Sequence, residues 1–185
     1  MVAGAIAVLI SFLLKICLTP NFKFKYTPVN FWVAIFLLIY AICGFTSLAP
    51  LSSIKIVCVV GVFILMYFAI VNCIETKKQL NTMLYIWIIA GFLVSVYGIY
   101  QFVAGTVFTT SWVDSTMFND IQTRVYSTFE NPNVLGEYLL LVIPICISLF
   151  FVNRNWLAKI CIAGIAGIMI VCLALTYSRG CYLGI

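Results

Sequence analysis

The chain has 185 residues, of which 65% are hydrophobic and only 8% are charged, and its mean hydropathy is +1.20. A soluble domain is about half apolar and about one-quarter charged, so a globule of this composition would lack the polar residues needed to cover its surface. The composition excludes a soluble domain and indicates an integral membrane protein whose apolar helix faces contact the lipid bilayer.

The net charge of +5 comes from Lys and Arg residues that stand singly or in pairs between apolar runs. This distribution is typical of residues that set membrane topology, and not of a nucleic-acid-binding patch. The eight cysteines have no close metal-ligand spacing, so we interpret them as small hydrophobic residues and expect no disulfide framework. The chain has no His, which excludes a His-ligated metal site and a His general base within it.

Apolar runs follow one another along the whole chain, and each full run is close to the ~20 residues that span the hydrocarbon core. The runs cover about residues 2–18, 30–49, 54–74, 80–104, 134–152 and 156–177, and residues 178–185 look like the start of another. We predict an all-α polytopic membrane protein with about six transmembrane helices plus the start of a seventh. Residues 1–185 are expected to form a single transmembrane domain of a longer protein, with an outer loop at about 105–133.

The basic residues predict which loops face the cytoplasm, because cytoplasmic loops of membrane proteins are rich in Lys and Arg. The first, third and fifth loops carry Lys15, Lys23, Lys25, Lys77, Lys78, Arg154 and Lys159, whereas the others carry only Lys55, Arg124 and Arg179. The odd-numbered loops are therefore placed in the cytoplasm. The N-terminus and the long loop 105–133 are placed outside.

The sharpest local pattern is Asn131-Pro132-Asn133, at the end of the long loop. Asn131 can cap a helix while Pro132 takes its first position. The N-terminus of that helix would offer free N–H groups and a positive dipole end to an anion, with Arg124 near in sequence. The alternative is that the pattern only caps the helix.

Two further ionisable residues stand near the same predicted membrane face. Glu137 lies one turn inside the fifth run, where it can complement the helix dipole, pair with Arg124 or Arg179, or lie at the interface. Arg179 follows the sixth run and is either functional or an interfacial anchor. Because each guanidinium binds phosphate oxygens in pairs, both arginines facing one cavity would suit a pyrophosphate.

Two stretches, RVYSTFENPNVLGEYLLLVIP at residues 124–144 and LALTYSRGCYLG at residues 173–184, resemble the O-antigen ligase and O-antigen polymerase superfamily. Members often have an Arg before a Ser-Thr-Phe-Gly-Asn-Pro-Asn-like stretch, and a Thr-x-Ser-Arg-Gly stretch at a later helix. Glu130 departs from that pattern, since a Gly is common there. The first 104 residues resemble the family only in being membrane helices.

The resemblance implies glycan transfer from an undecaprenyl-pyrophosphate-linked donor to a hydroxyl of a glycan, lipid or protein acceptor, on the outer face of the bacterial cytoplasmic membrane. It implies a metal-independent glycosyltransferase in which cations neutralise the departing pyrophosphate. Arg124 and Arg179 match the family's motif arginines and are the catalytic candidates. The substrate-binding candidates are Tyr126, Asn131, Asn133, Glu137 and Ser178. The family's His would lie beyond Ile185, so we expect these 185 residues alone to be inactive.

Other functions remain open on the sequence. The acidic residues of the long loop, Asp114, Asp120 and Glu130, are too far apart in sequence to form an Asp-x-Asp metal-binding motif. No metal or other cofactor is therefore predicted. A transporter for a small solute such as bicarbonate would place polar groups near the bilayer midplane, where the runs are apolar. A non-catalytic membrane scaffold would leave both arginines dispensable. Gly91 and Ser95 on the fourth run, and Ala163 and Gly167 on the sixth, indicate close helix packing.

Overall fold

The computed structural model describes residues 2–20, 22–105, 124–129 and 131–184, which contain seven helices and no strand. The helices are α1 (Val2–Leu18), α2 (Val29–Phe45), α3 (Pro50–Cys73), α4 (Lys77–Val103), α5 (Pro132–Val152), α6 (Trp156–Leu175) and α7 (Arg179–Leu183). The predicted all-α fold is confirmed for this part of the chain.

Four of these helices are long and apolar enough to cross a membrane, and they fall within α3, α4, α5 and α6. The remaining long helices, α1 and α2, have 17 residues each. At ~1.5 Å per residue each of these two reaches roughly 25 Å, which is less than the ~30 Å of hydrocarbon. The predicted number of about six spans is therefore not confirmed.

The boundary between α2 and α3 differs from the prediction at both helix ends. The helix α2 ends at Phe45, four residues early, and the Thr46 hydroxyl donates back to the carbonyl of Ile42 at 3.0 Å. The helix α3 begins at Pro50, four residues before the predicted start at about residue 54. Proline suits a first helical position because its missing N–H is not needed there.

The chain divides into two compact units, Met1–Gln79 and Leu80–Ile185, and the prediction of a single transmembrane domain stays a prediction. In unit 1, α3 packs against both α1 and α2. The close approach of α2 depends on Gly44, since a Cβ there would lie 2.7 Å from Val57 Cγ2.

Two lysines close the C-terminal end of α3. Lys15 Nζ donates to the carbonyl of Asn72 at 3.0 Å and forms an ion pair of 2.5 Å with Glu75. Lys25 Nζ donates to the carbonyl of Ile74 at 2.7 Å. The last carbonyls of a helix lack partners within the helix, so the two ammonium groups satisfy acceptors and complement the negative end of the helix dipole.

Unit 2 contains the larger apolar core. The helices α5 and α6 are joined by residues 153–155 and pack against each other as an antiparallel pair. The fully buried side chains of this core include Leu135, Leu139, Val142, Ile143, Cys146, Met169 and Cys172. The helix α4 adds Ile88 to the core, and Gly91 approaches α5 so closely that a Cβ would lie 2.9 Å from Val142 Cγ1.

The prediction that small residues mark close helix packing holds for α4 but not for α6. Gly91 and Ser95 are buried, which confirms the prediction for α4. Ala163 and Gly167 are exposed, and no described atom outside the helix lies within 4 Å of a Cβ built on Gly167. The prediction for α6 is thus wrong within unit 2, because the buried face of α6 carries Ala166 and Met169 instead.

Candidate functional site

The segment 124–129 runs between α4 and the end of α6. The Val125 N–H donates to the carbonyl of Leu175 at 3.1 Å, and the Val125 side chain is fully buried. Gly98 makes room for that side chain, since a Cβ on Gly98 would lie 2.8 Å from Val125 Cγ1. The segment is thereby bonded to the end of α6 and packed against α4.

Arg124 is half-buried and held by two neutral oxygen atoms. Its Nε donates to the carbonyl of Thr176 at 2.8 Å, and its Nη2 donates to Asn133 Oδ1 at 2.8 Å. A guanidinium has five N–H donors, and the bonds of Arg124 to the described residues leave three of them for another partner. Since neither oxygen belongs to a carboxylate, these bonds orient the group without neutralising its charge.

Arg179 begins the short helix α7 and is exposed. The chain turns between α6 and α7 at Tyr177, whose backbone φ of +49° lies in the left-handed region. A non-glycine residue there costs on the order of 1–2 kcal/mol, so surrounding contacts must hold the turn. Among the described residues, the Arg179 side chain has no hydrogen bond or ion pair.

Both arginines line one open cavity of about 650 Å³. The described residues around it are Arg124, Asn133, Glu137, Leu140, Tyr177, Ser178, Arg179, Gly180 and Cys181. The structure thus brings together five of the seven predicted site residues. This volume lies within the range of ~300–1,000 Å³ typical of small-molecule sites.

Tyr126 and Asn131, the other two predicted site residues, are not among the described residues that line the cavity. The Asn131 side chain accepts from the Asn133 N–H at 2.9 Å, and Pro132 takes the first position of α5. The predicted helix cap is therefore confirmed. Tyr126 is half-buried, and its carbonyl accepts from the Phe129 N–H at 3.0 Å in a turn.

Glu137 lines the cavity and is exposed. It lies four residues after Asn133, so both side chains share one face of α5. In the described part of the chain Glu137 is not within ion-pair distance of Arg124 or Arg179. The two alternatives in which Glu137 pairs with Arg124 or with Arg179 are not observed. Among the described residues, the cavity wall carries two positive groups and one negative group.

Three polar residues that support Arg124 were missed by the sequence analysis. Thr176 is fully buried and supplies an oxygen to Arg124, whereas Gln101 and Ser127 are buried and bond to each other. Ser127 and Thr176 lie within the two motif stretches without being named as site residues, whereas Gln101 lies outside both and is an amide near the end of an otherwise apolar run. Asp114, Asp120 and Glu130, which the sequence analysis considered, lie outside the described residues.

The fold and site together define a helical protein whose long apolar helices suit a lipid bilayer, with a two-arginine cavity in unit 2. Comparison of the chain with known protein families, with curated proteins and with solved structures found no match.

Proposed function

We propose that the cavity binds the pyrophosphate of a lipid-linked glycan donor, and that the protein takes part in glycan transfer to an acceptor hydroxyl. One observation carries the proposal: Arg124 and Arg179 line the same cavity, and neither is neutralised by a described carboxylate. A site with two uncompensated guanidinium groups favours a ligand with at least two negative oxygens.

The chemistry of the reaction fits this arrangement. In glycan transfer, the acceptor oxygen bonds to the anomeric carbon while the bond from that carbon to the pyrophosphate oxygen breaks. Negative charge grows on the departing pyrophosphate, whose freed oxygen can take up the proton that the acceptor hydroxyl loses. Cations already in position stabilise this charge without reorganisation, which lowers the barrier. Arg124 and Arg179 would supply that stabilisation.

The neighbouring side chains divide into positioning and contact groups. Asn133 orients Arg124 through its amide oxygen. Asn131 caps the start of α5 through its side chain. Ser178 is the N-cap residue of α7 and lines the cavity next to Arg179. Glu137, and Tyr126 in the adjoining segment, would contact the glycan part of the donor.

The apolar surroundings favour a lipid-linked donor over a free nucleotide sugar. Leu140 and Cys181 form part of the cavity wall, and the helix α5 below them is compatible with a membrane span. A pyrophosphate in this cavity would therefore leave an undecaprenyl chain able to extend into lipid. The proposal places the protein in the bacterial cytoplasmic membrane as a glycosyltransferase resembling O-antigen ligases and polymerases.

The test is binding of an undecaprenyl-pyrophosphate-linked glycan to the protein in lipid nanodiscs. We expect Arg124→Ala and Arg179→Ala each to weaken binding by roughly 2 kcal/mol, or about thirtyfold, since each loses charge-assisted hydrogen bonds. Arg154→Ala is the matched control, because Arg154 is exposed in the connection at the far end of α5. Unchanged melting temperatures would establish that the variants fold.

The same experiment separates the alternatives. Equal donor binding by all four proteins would overturn the proposal and support a non-catalytic membrane scaffold. Loss of bicarbonate binding in both cavity variants, together with no binding of the lipid donor by the unmodified protein, would instead favour a transporter for a small anion.

A further inference from the structure

We infer that Gln101 is a positioning residue that fixes Arg124 in the cavity by holding the backbone of Ser127. Gln101 lies in the last turn of α4 and is only 6% exposed. It is outside the cavity wall, so any effect on a ligand must pass through the residues that it holds.

The side-chain amide of Gln101 makes two hydrogen bonds to a single residue. Its Oε1 accepts from the Ser127 N–H at 2.8 Å, and its Nε2 donates to the Ser127 carbonyl at 3.1 Å. The amide thereby satisfies both backbone groups of Ser127, in the manner of a neighbouring β-strand. This pairing also satisfies both ends of a buried amide, which would otherwise be costly.

Ser127 needs such support because its backbone φ is +52°, in the left-handed region. A residue with a side chain keeps this conformation only where its surroundings impose it. The Ser127 hydroxyl adds a third bond to the same helix, donating to the carbonyl of Val94 at 2.7 Å. Two residues of α4 therefore hold one strained position of the segment.

The held position is connected to Arg124 through a short length of chain. Val125, between them, is tied to α6 by its bond to the Leu175 carbonyl. The segment is thus anchored to α4 at Ser127 and to α6 at Val125, and Arg124 extends from the anchored part toward Thr176. Loss of the Gln101 bonds would leave Ser127 tied to α4 by its hydroxyl alone. The weakened anchor would lower the fraction of molecules in which Arg124 is correctly placed.

The positioning role can be measured without a ligand, because the chain has only three arginines. Each would give one Nε–H signal in a nitrogen-15 NMR spectrum, and Arg124→Lys, Arg154→Lys and Arg179→Lys would assign them. We expect the Arg124 signal to be protected from solvent exchange by its bond to Thr176. Gln101→Met has a similar shape but cannot make the bonds, and it should increase that exchange at least tenfold.

Two controls distinguish a positioning effect of Gln101 from a general loss of structure. Ser95→Ala removes another buried polar group of α4, whose hydroxyl bonds to Gly91 of the same helix, and it should leave the Arg124 signal unchanged. The Arg154 signal should be constant in every variant. If Gln101→Met does not fold, Gln101→Asn keeps the amide but is one methylene shorter, and the same increase is expected.

The effect of Gln101 on donor binding rests on the proposed function and is measured in a separate experiment. Gln101→Met should weaken binding of the undecaprenyl-pyrophosphate-linked glycan about tenfold. An Arg124 signal that is unchanged in Gln101→Met would overturn the inference. Donor binding that is unchanged in Gln101→Met, although Arg124→Ala weakens it, would overturn the inference too. An altered Arg124 signal in a protein that binds no donor would support positioning by Gln101 while contradicting the proposed function.

Discussion

The side chains of Arg124 and Asn133 are joined by a hydrogen bond of 2.8 Å from Nη2 to Oδ1. This bond connects the segment 124–129 to the first turn of α5, where Asn131 caps the helix. Because the amide of Asn133 is neutral, the bond orients the Arg124 guanidinium without forming an ion pair. The positive charge of Arg124 therefore remains available to an anion in the cavity.

Substitution of Asn133 tests this arrangement. Asn133→Ala should weaken donor binding by about 1 kcal/mol, or roughly fivefold, because Arg124 loses one orienting bond. Asn133→Asp should weaken it further, since a carboxylate would neutralise Arg124. The measurement is the dissociation constant of the lipid-pyrophosphate glycan in nanodiscs.

The matched control for Asn133 is Asn155, whose side chain accepts from the Leu157 N–H at 3.0 Å and caps α6. Asn155→Ala should lower the free energy of unfolding by about 1 kcal/mol, because it removes this cap, and should change donor affinity little. If Asn133→Asp bound the donor more tightly than Asn133→Ala, the uncompensated charge of Arg124 would not be what attracts the ligand.

Glu137 is the one described negative group in the wall of the cavity. Glu137→Gln should tighten donor binding several-fold, because it removes a like charge worth on the order of 1 kcal/mol at an exposed position. Glu75→Gln, in unit 1, is the control and should have no effect. Weaker donor binding by Glu137→Gln would mean that the contact of Glu137 with the glycan needs the charged carboxylate and outweighs its repulsion of the pyrophosphate.

Gly136 lets α7 lie against α5. A Cβ on Gly136 would lie 2.5 Å from Cys181 Sγ, whereas a Cβ on Gly167 would meet nothing within 4 Å among the described residues. Gly136→Ala should therefore destabilise the protein by about 1–3 kcal/mol and displace Arg179, while Gly167→Ala should stabilise α6 by up to about 1 kcal/mol. Thermal unfolding of both variants checks this, and equal stabilisation would contradict the described contact.

Glu75 provides a pH-dependent prediction in unit 1. Its hydrogen bond and ion pair with Lys15 lower the pKa of the Glu75 carboxyl below its ordinary value of 4.5. A lowered folded-state pKa gives stability that is present above the ordinary pKa and is lost as the pH falls through the lowered one. Carbon-13 NMR titration should find this lowered pKa, and Lys15→Met should return it toward 4.5. A Glu75 pKa unchanged by Lys15→Met would contradict the pairing.

The sequence predicted the helical class and the start of α5 because both depend on local signals. Hydrophobic runs mark helices in lipid, and the Asn-Pro pattern marks a helix start. Hydropathy could not locate the end of α2, where Thr46 bonds back to the helix before an apolar run has finished. That shortening contributes to the difference between six predicted spans and four long apolar helices.

The site was predictable in its residue types but not in its assembly. Arg124 and Arg179 stand out as charges beside apolar runs, yet their convergence depends on a left-handed turn at Tyr177 and on a bond from Arg124 to the backbone of Thr176. Every residue has a backbone carbonyl, so no sequence pattern could reveal that Arg124 binds the one of Thr176. The pairing of Gln101 with Ser127 likewise joins residues 26 positions apart.

The most direct test of the two-arginine site is to follow the three arginine Nε–H signals while an undecaprenyl-pyrophosphate-linked glycan is added to the nitrogen-15-labelled protein. Our account predicts that the Arg124 and Arg179 signals shift together, with one dissociation constant, while the Arg154 signal stays in place. Shifts of neither cavity arginine, or of Arg179 alone, would contradict a shared pyrophosphate site.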